Sequence, residues 1–240
     1  VKYKFEYGEG LFMGRKLTEE QFWLVFKDVL FSDEKIGDAE EEVEKIIQLG
    51  DLEPGSKVLD MLCGIGRHTS VFEKKGFKVV GVEKTQNYAE DAKERVEDAK
   101  IVNQDMKDFK RENKFDVVVN WWNSFGYFED QEEDFLMLEN IYASLKQGGV
   151  LLMDIFGKEV SAMNDFDTHW SREEGSLLLQ DHEIKGNWSK IENTWVKVEE
   201  GEVVELTWQQ TLYSAQELRK LLEKTGFSEI EFYGNLEQDP

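Results

Sequence analysis

Short apolar runs alternate with amphipathic segments from Lys57 to Phe156, and this alternation limits what the chain can fold into. The runs are KVLDML, FKVVGV, AKIVNQ, FDVVVNWW and GGVLLMDIF. The segments between them, such as 87–98 and 131–146, repeat apolar residues at helical spacing. Strands buried on both faces and joined by helices form a parallel sheet with helices on either side. We therefore predict an α/β fold with a Rossmann-like, doubly wound, mostly parallel sheet.

The alternation stops after Phe156. Residues 176–213 have the pattern of three long strands, SLLLQDHEIKG, WSKIENTWVKVEEG and EVVELTWQQTLY, in which polar and apolar positions alternate. Long alternating strands punctuated by turn residues are typical of an antiparallel arrangement. The sequence thus predicts an antiparallel β-meander inserted after the fifth strand.

Capping signals mark helices outside the alternating region. The capping box Thr18-Glu19-Glu20-Gln21 predicts a helix to about Phe31, and 39–49 has the pattern of a second, more polar helix. Ser214-Ala215-Gln216-Glu217 predicts a final helix, and GFSEIEFYGN predicts a final strand. We expect four regions: an N-terminal helical cap (1–50), the core (51–157), the meander on the substrate side (158–213), and a C-terminal helix and strand completing the core (214–240).

The turn after the first predicted strand, in VLDMLCGIGRH, is the natural seat for a ligand. Gly64 and Gly66 allow a ligand to approach the backbone closely. A dinucleotide fold would place a third glycine at Thr69, and a P-loop would need Gly-Lys followed by Ser or Thr. Asp60 and Glu83 end the first two strands, and Glu83 could accept hydrogen bonds from both ribose hydroxyls. This combination favours an adenosine without phosphates, and the alternative is a tight turn with no ligand.

The ordered set VLDMLCGIGRH, GVE, NQDM, FDVVVNWWNSFGYFED and LKQGGVLLMDIF resembles the class I S-adenosylmethionine-dependent methyltransferases. More narrowly, it is similar to small-molecule methyltransferases with a CG-x-GRH turn and an SFGYFED segment. The likeness runs from about Tyr3 to Asp239 and is strongest from Val58 to Phe156. It implies that S-adenosylmethionine is the cofactor. Leu62 departs from the family pattern, which has a glycine there, so its side chain is expected to point away from the cofactor.

The resemblance also implies roles for individual residues. The backbone of Leu62 and Cys63 would hold the methionine part, beside Gly64 and Gly66, and Asp60 ends the strand below them. The remaining cofactor contacts would come from the next strand ends: Glu83 for the ribose, Lys84 beside the adenine, Asp105 and Met106 at the adenine edge, and Asn120 and Trp121 near the sulfonium.

Methyl transfer from a sulfonium suits an aromatic pocket, because aromatic faces attract cations. Phe125 belongs to an aromatic cluster that follows the fourth core strand, and we include it among the cofactor contacts. His169 follows the fifth core strand and is the candidate general base. The single cysteine, Cys63, excludes an internal disulfide and any site built from several cysteines, so no metal is expected.

The charge balance limits the partners. With 51 acidic against 29 basic residues and a net charge of −22, the chain would repel nucleic acid. No apolar run is long enough for a membrane span, and no signal peptide is visible. We expect a cytoplasmic enzyme that methylates a small molecule, with homodimer formation through the meander as an alternative role for that segment. The competing functions are a non-catalytic S-adenosylmethionine-binding partner subunit, an RNA methyltransferase and, last, a dehydrogenase.

Overall fold

The computed structural model describes residues 15–16, 19–163, 168–173 and 175–234. Its strands form two five-stranded sheets. In chain order, the strands are β1 (Arg15–Lys16), β2 (Lys57–Met61), β3 (Lys78–Glu83), β4 (Lys100–Asn103), β5 (Phe115–Asn120), β6 (Leu145–Met153), β7 (His169–Glu173), β8 (Ser176–Lys185), β9 (Lys190–Glu199) and β10 (Glu202–Thr211).

The helices lie between these strands and at the N-terminal side of the first core strand. They are α1 (Glu19–Val25), α2 (Lys27–Leu30), α3 (Asp33–Gly37), α4 (Ala39–Leu49), α5 (Arg67–Lys74), α6 (Gln86–Arg95), α7 (Gln131–Ser144), α8 (Lys158–Met163) and α9 (Ala215–Thr225), with a short 3₁₀ turn at Met106–Asp108. No described helix has the length and apolar character needed to cross a membrane.

The first sheet has the order β4-β3-β2-β5-β6, and each neighbouring pair is parallel. Asp60 lies opposite Gly81 on one side and Val119 on the other, so the carboxyl ends of β2, β3 and β5 meet at one edge. One face packs under α4 and α5, and the other packs under α7 and α9. The prediction of a doubly wound, mostly parallel sheet is confirmed.

The second sheet has the order β1-β10-β9-β8-β7, and β7 to β10 are antiparallel. The predicted meander after the fifth core strand is therefore confirmed. Along these strands the outward positions Asp181, Glu183 and Gln209 are exposed. The opposite face packs against α1 and α2, where Phe22 and Phe26 are fully buried.

The described helices of the region expected as a helical cap (1–50) pack against two different sheets. Val43 and Ile46 of α4 pack against the parallel sheet, whereas α1 and α2 pack against the antiparallel sheet. The expected single helix to Phe31 is also interrupted at Phe26, where the backbone leaves helical geometry (φ −99°, ψ 12°). Thr18, the expected N-cap, lies outside the described residues.

The C-terminal region follows the prediction for its helix and departs from it for its strand. Ser214 and Glu217 form the expected capping box at the start of α9. The segment GFSEIEFYGN, as far as Gly234, contains no strand. Glu229 adopts a left-handed backbone conformation (φ 56°), which interrupts an extended chain. Phe227, Ile230 and Phe232 instead pack their side chains against the main core cluster.

Candidate functional site

The glycine turn after β2 is built from backbone conformations that favour glycine. Leu62, Gly64 and Gly66 all have positive φ, at 61°, 54° and 76°. The Cys63 N–H donates to the Val82 carbonyl (3.0 Å), and the Gly66 N–H donates to the Cys63 carbonyl (2.9 Å). The Leu62 side chain packs against the main core cluster, so a bulky residue is accommodated where the resemblance led us to expect a glycine.

The two glycines of the turn are needed for close packing as well as for their dihedral angles. A Cβ on Gly64 would lie 2.9 Å from Cζ of Phe31, just after α2. A Cβ on Gly66 would lie 3.0 Å from Cβ of Ala92 in α6. Distances this short would force neighbouring atoms to move. Phe31 therefore covers the turn at Gly64, and Gly66 lets α5 and α6 approach each other.

Glu83 ties the end of β3 to the glycine turn. Its buried carboxylate accepts hydrogen bonds from the Gly64 N–H (3.1 Å) and the Thr85 N–H (2.6 Å). Burial raises the pKa of Glu83, and these N–H groups oppose the rise. A carboxylate offers about four lone-pair sites, which Glu83 would share between these protein donors and a ligand at the turn.

Asp60 ends β2 below the turn and is 2% exposed. Its carboxylate accepts a hydrogen bond from the Thr69 hydroxyl (2.6 Å), and burial raises its pKa. Thr69 occupies the position where a dinucleotide site would have glycine. The structure explains why a threonine is present here, because its hydroxyl donates a hydrogen bond to the buried Asp60 carboxylate.

The residues expected near an adenine lie at the end of β4. The Asp105 side chain accepts from the Lys107 N–H (3.1 Å), and Lys84 Nζ lies 3.6 Å from its carboxylate. Met106 is buried in the core cluster. The Gln104 N–H donates to the Glu83 carbonyl (3.1 Å), so Asp105 and Glu83 lie on adjoining strand ends, as expected.

Asn120 at the end of β5 is completely buried. Its amide nitrogen donates to the Met61 carbonyl (3.3 Å), which places it beside the glycine turn. Its Oδ1 atom has no hydrogen-bond partner among the described residues. Trp121 and Phe125 lie in two different hydrophobic clusters, and the Phe125 ring packs 5.5 Å from that of Tyr213. The expected aromatic pocket is therefore not formed by these two side chains.

The loop that follows Asn120 is held in an unusual conformation. Trp122 and Asn123 both have positive φ, at 58° and 52°. Asp154, after β6, accepts a hydrogen bond from the Asn123 N–H (3.2 Å), and burial raises the pKa of Asp154. Gln210 of β10 donates to the carbonyls of Asn123 (3.1 Å) and Phe125 (2.8 Å). Left-handed residues held by several outside contacts are typical of functional loops.

A polar cluster that the sequence did not predict links this loop to the glycine turn. One oxygen of Glu42 in α4 accepts hydrogen bonds from Arg67 (2.7 Å) and His68 (2.6 Å), at the start of α5. Its other oxygen accepts from the Trp122 indole N–H (2.8 Å). Burial raises the pKa of Glu42, but the bonds from His68 and Trp122 and the charge of Arg67 lower it to about 2. The guanidinium also stacks 4.2 Å from the Trp122 ring centroid.

His169, the expected general base, lies away from these strand ends. It is exposed at the start of β7, an edge strand, and is paired in register with Gln180. Three strand spacings of about 4.8 Å and four residues of about 3.4 Å put its backbone roughly 20 Å from that of Gln210. The structure therefore gives His169 no support as the base.

A groove with a volume of about 1140 Å³ follows the edge strand β6 and reaches the site at Glu42, Trp121, Trp122 and Asp154. Neither it nor a second groove, beside α2 and α6, is lined by Glu83 or Gly64. Phe31 closes the turn from that side. Among the described residues, no three His, Cys, Asp or Glu side chains are placed to hold a metal ion.

Comparison with known proteins shows the family to which the chain belongs. A family model described as a methyltransferase domain matches residues 36–231. Over 99 residues the chain is 32% identical to the dTDP-3-amino-3,4,6-trideoxy-alpha-D-glucopyranose N,N-dimethyltransferase of Streptomyces venezuelae. That match covers 41% of this chain and 42% of the relative, which is under half the relative's length.

Two solved structures share the fold. One is an S-adenosylmethionine-dependent methyltransferase from Clostridium acetobutylicum (TM-score 0.73, 14% identity, 91% of this chain and 92% of that chain). The other is CalS10, an amino pentose methyltransferase from Micromonospora echinaspora with S-adenosylmethionine bound (TM-score 0.61, 19% identity, 92% and 91%).

Proposed function

The chain belongs to the methyltransferase domain family with S-adenosylmethionine as its cofactor, and from this premise we propose that it methylates the nitrogen of a small-molecule amine. The observation that carries the proposal is the bond between Glu83 and Gly64. It fixes an acidic strand end against a G-x-G turn, as a ribose beside the methionine part of the cofactor requires. No third glycine and no P-loop lysine are present to hold a phosphate.

The residues present fit this cofactor. Glu83 presents a carboxylate at the turn to ribose hydroxyls, Asp105 lies on the next strand end, and the unpartnered Asn120 Oδ1 can accept an N–H group beside the turn. The cofactor supplies an electrophilic methyl group on a sulfonium. The chain's own task is to orient the two reactants in line and to exclude water. We assign the role of orienting the reactants to Asn120 and to the loop that follows it. Asp154 and Gln210 fix this loop by hydrogen bonds.

The amine assignment rests on the named relatives and on charge. The aligned relative from Streptomyces venezuelae is an N,N-dimethyltransferase of an amino sugar nucleotide, and CalS10 is an amino pentose methyltransferase. A net charge of −22 attracts a cationic amine towards the protein and repels RNA. An amine nitrogen that has lost its proton to water can attack without a dedicated base, so the proposal does not depend on His169.

We place the amine between the strand ends and the antiparallel sheet. The sheet contacts the loop after β5 closely: the Thr211 N–H donates to the Gly126 carbonyl (2.7 Å), and a Cβ on Gly126 would lie 2.6 Å from the Thr211 carbonyl oxygen. This contact supports the substrate-side role that we expect for the meander.

Calorimetry and a transfer assay test the proposal. We expect S-adenosylmethionine and S-adenosylhomocysteine to bind and NAD not to bind. With methyl-labelled donor, we expect label to enter primary and secondary amines and not the matched alcohols. Binding of NAD alone, or label transfer only to alcohols, would contradict the cofactor and the acceptor assignments respectively.

A further inference from the structure

One face of the antiparallel sheet packs against α1 and α2, and we call it the inner face. It carries polar side chains at positions that are paired between neighbouring strands. Trp195 lies opposite Leu206 and Gln180, and the next row on the same face contains His182, Asn193 and Trp208. Residues directly opposite each other in a sheet point to the same side, and so do residues two positions apart. His182 Nδ1 and Asn193 Oδ1 form a hydrogen bond of 2.7 Å within this row.

Two donors on this face have no acceptor. The indole N–H groups of Trp195 and Trp208 are buried and make no hydrogen bond with any described residue. Their rings lie 5.6 Å apart, and the Phe22 ring covers both at 5.7 and 4.9 Å. Because the large majority of buried side-chain polar groups in proteins are paired, two neighbouring unpaired donors indicate that this face is built for an oxygen acceptor that α1 and α2 do not supply.

The unpaired donors are continuous with the proposed reaction site. Gln210 lies two residues after Trp208 on the same face, about 7 Å further along β10. Its side chain donates to the carbonyls of Asn123 and Phe125, in the loop that starts at the buried Asn120. Gln210 therefore connects the row that contains the Trp208 indole to the loop that follows Asn120.

We propose that the indole N–H groups of Trp195 and Trp208 bind hydroxyl oxygens of the methyl acceptor, which is an amine carried on a hydroxylated ring. This assignment rests on the proposed function and adds the subsite that selects the acceptor. Aromatic walls with a few oriented donors suit a compact molecule that has apolar faces and polar edges. The His182–Asn193 pair, in the same row as Trp208, provides further polar contacts. Because Phe22 and Phe26 cover the two indoles, binding at this subsite requires the α1–α2 pair to move away from the sheet.

The experiment uses the indole N–H signals of the full chain in two-dimensional NMR. The seven tryptophans give seven such signals, and Trp→Phe variants assign them. In the presence of S-adenosylhomocysteine, glucosamine is expected to shift the signals of Trp195 and Trp208. Cyclohexylamine, which has the same ring size and amine but no hydroxyls, is expected to leave them in place. Trp170 and Trp188 lie in the same region of the chain but are 69% and 44% exposed, so they serve as internal controls.

Kinetics give an independent readout. Trp195→Phe and Trp208→Phe are each expected to raise KM for glucosamine about tenfold through the loss of one hydrogen bond, with kcat little changed. Trp170→Phe and Trp188→Phe should behave as wild type. If the indole signals of Trp195 and Trp208 do not shift with glucosamine, or shift equally with cyclohexylamine, the proposed subsite is refuted. Calorimetry on the same wild-type sample separates the two proposals. If S-adenosylhomocysteine binds, only the subsite is refuted and the proposed function stands. If S-adenosylhomocysteine does not bind, the proposed function is refuted.

Discussion

Replacing Glu42 with Gln is expected to destabilise the fold more than any exposed charge change. Glu42 lies between Arg67, His68 and Trp122, and its side chain is 19% exposed. Glutamine keeps the size of the side chain but removes its charge. Arg67, with 5% side-chain exposure, would then be left buried without its partner. The loss of one partner from a buried ion pair is far more damaging than the loss of an exposed pair.

The magnitude follows from the pKa of Glu42. Burial raises the pKa of Glu42, whereas the three partners lower it. Together they take this pKa from 4.5 to about 2. Lowering the pKa by about 2.5 at about 1.4 kcal/mol for each unit of pKa gives about 3.5 kcal/mol, and partial solvent screening reduces this contribution to the free energy of unfolding to about 3 kcal/mol. Because the folded pKa is the lower one, this contribution is fully present above pH 4.5 and is lost as the pH falls towards 2.

Urea unfolding of wild type and Glu42→Gln at pH 7 and pH 3 measures the effect. We expect a difference of about 3 kcal/mol at pH 7 that shrinks at pH 3. Glu44→Gln, on the same helix, removes an exposed partner of Lys75 and should cost under about 1 kcal/mol. A Glu42→Gln variant no less stable than Glu44→Gln, or a difference that grows at low pH, would refute the reasoning.

Three other outcomes are expected. Glu83→Ala should weaken S-adenosylmethionine binding by about 1–3 kcal/mol in calorimetry, because ribose hydroxyls lose their acceptor; unchanged affinity would place the ribose elsewhere. Gly64→Ala should lower thermal stability and cofactor affinity more than Gly55→Ala, since both have left-handed backbones but only Gly64 faces Phe31. In gel-shift assays at physiological salt, tRNA and duplex DNA should not be retarded, whereas salt-sensitive submicromolar RNA binding would overturn the charge argument.

The sequence predicted the parts of the site that depend on the parallel sheet. Asp60, Glu83 and Asn120 each end an apolar run, and parallel strands bring such ends to one edge, so their proximity follows from the alternation alone. The meander was also predictable, because its polar and apolar positions alternate over strands of ten residues. Both signals are periodic and local.

The features that the sequence did not predict depend on distant contacts. Glu42 is 80 residues from Trp122 and 25 from Arg67, and nothing in the polar face of α4 marks that glutamate among its neighbours. Phe125 was expected among the cofactor contacts because aromatic residues follow a strand end, but a core packs the same residue types, and its ring lies in the main core cluster. The predicted final strand does not form, and nothing in the sequence signals this, because the left-handed residue that interrupts it is Glu229 and not a glycine.

The α1–α2 pair contacts both the glycine turn and the indoles of the proposed acceptor subsite, so we expect ordered binding. Phe31 lies against Gly64 on one side, while Phe22 and Phe26 cover Trp195 and Trp208 on the other. A cofactor that displaces Phe31 must move the adjoining helices and so weaken the cover over the indoles. We therefore expect glucosamine to shift the Trp195 and Trp208 signals only after S-adenosylhomocysteine has been added, and Phe31→Ala to relax that requirement. Equal responses with and without S-adenosylhomocysteine in the wild type would show that the two sites open independently.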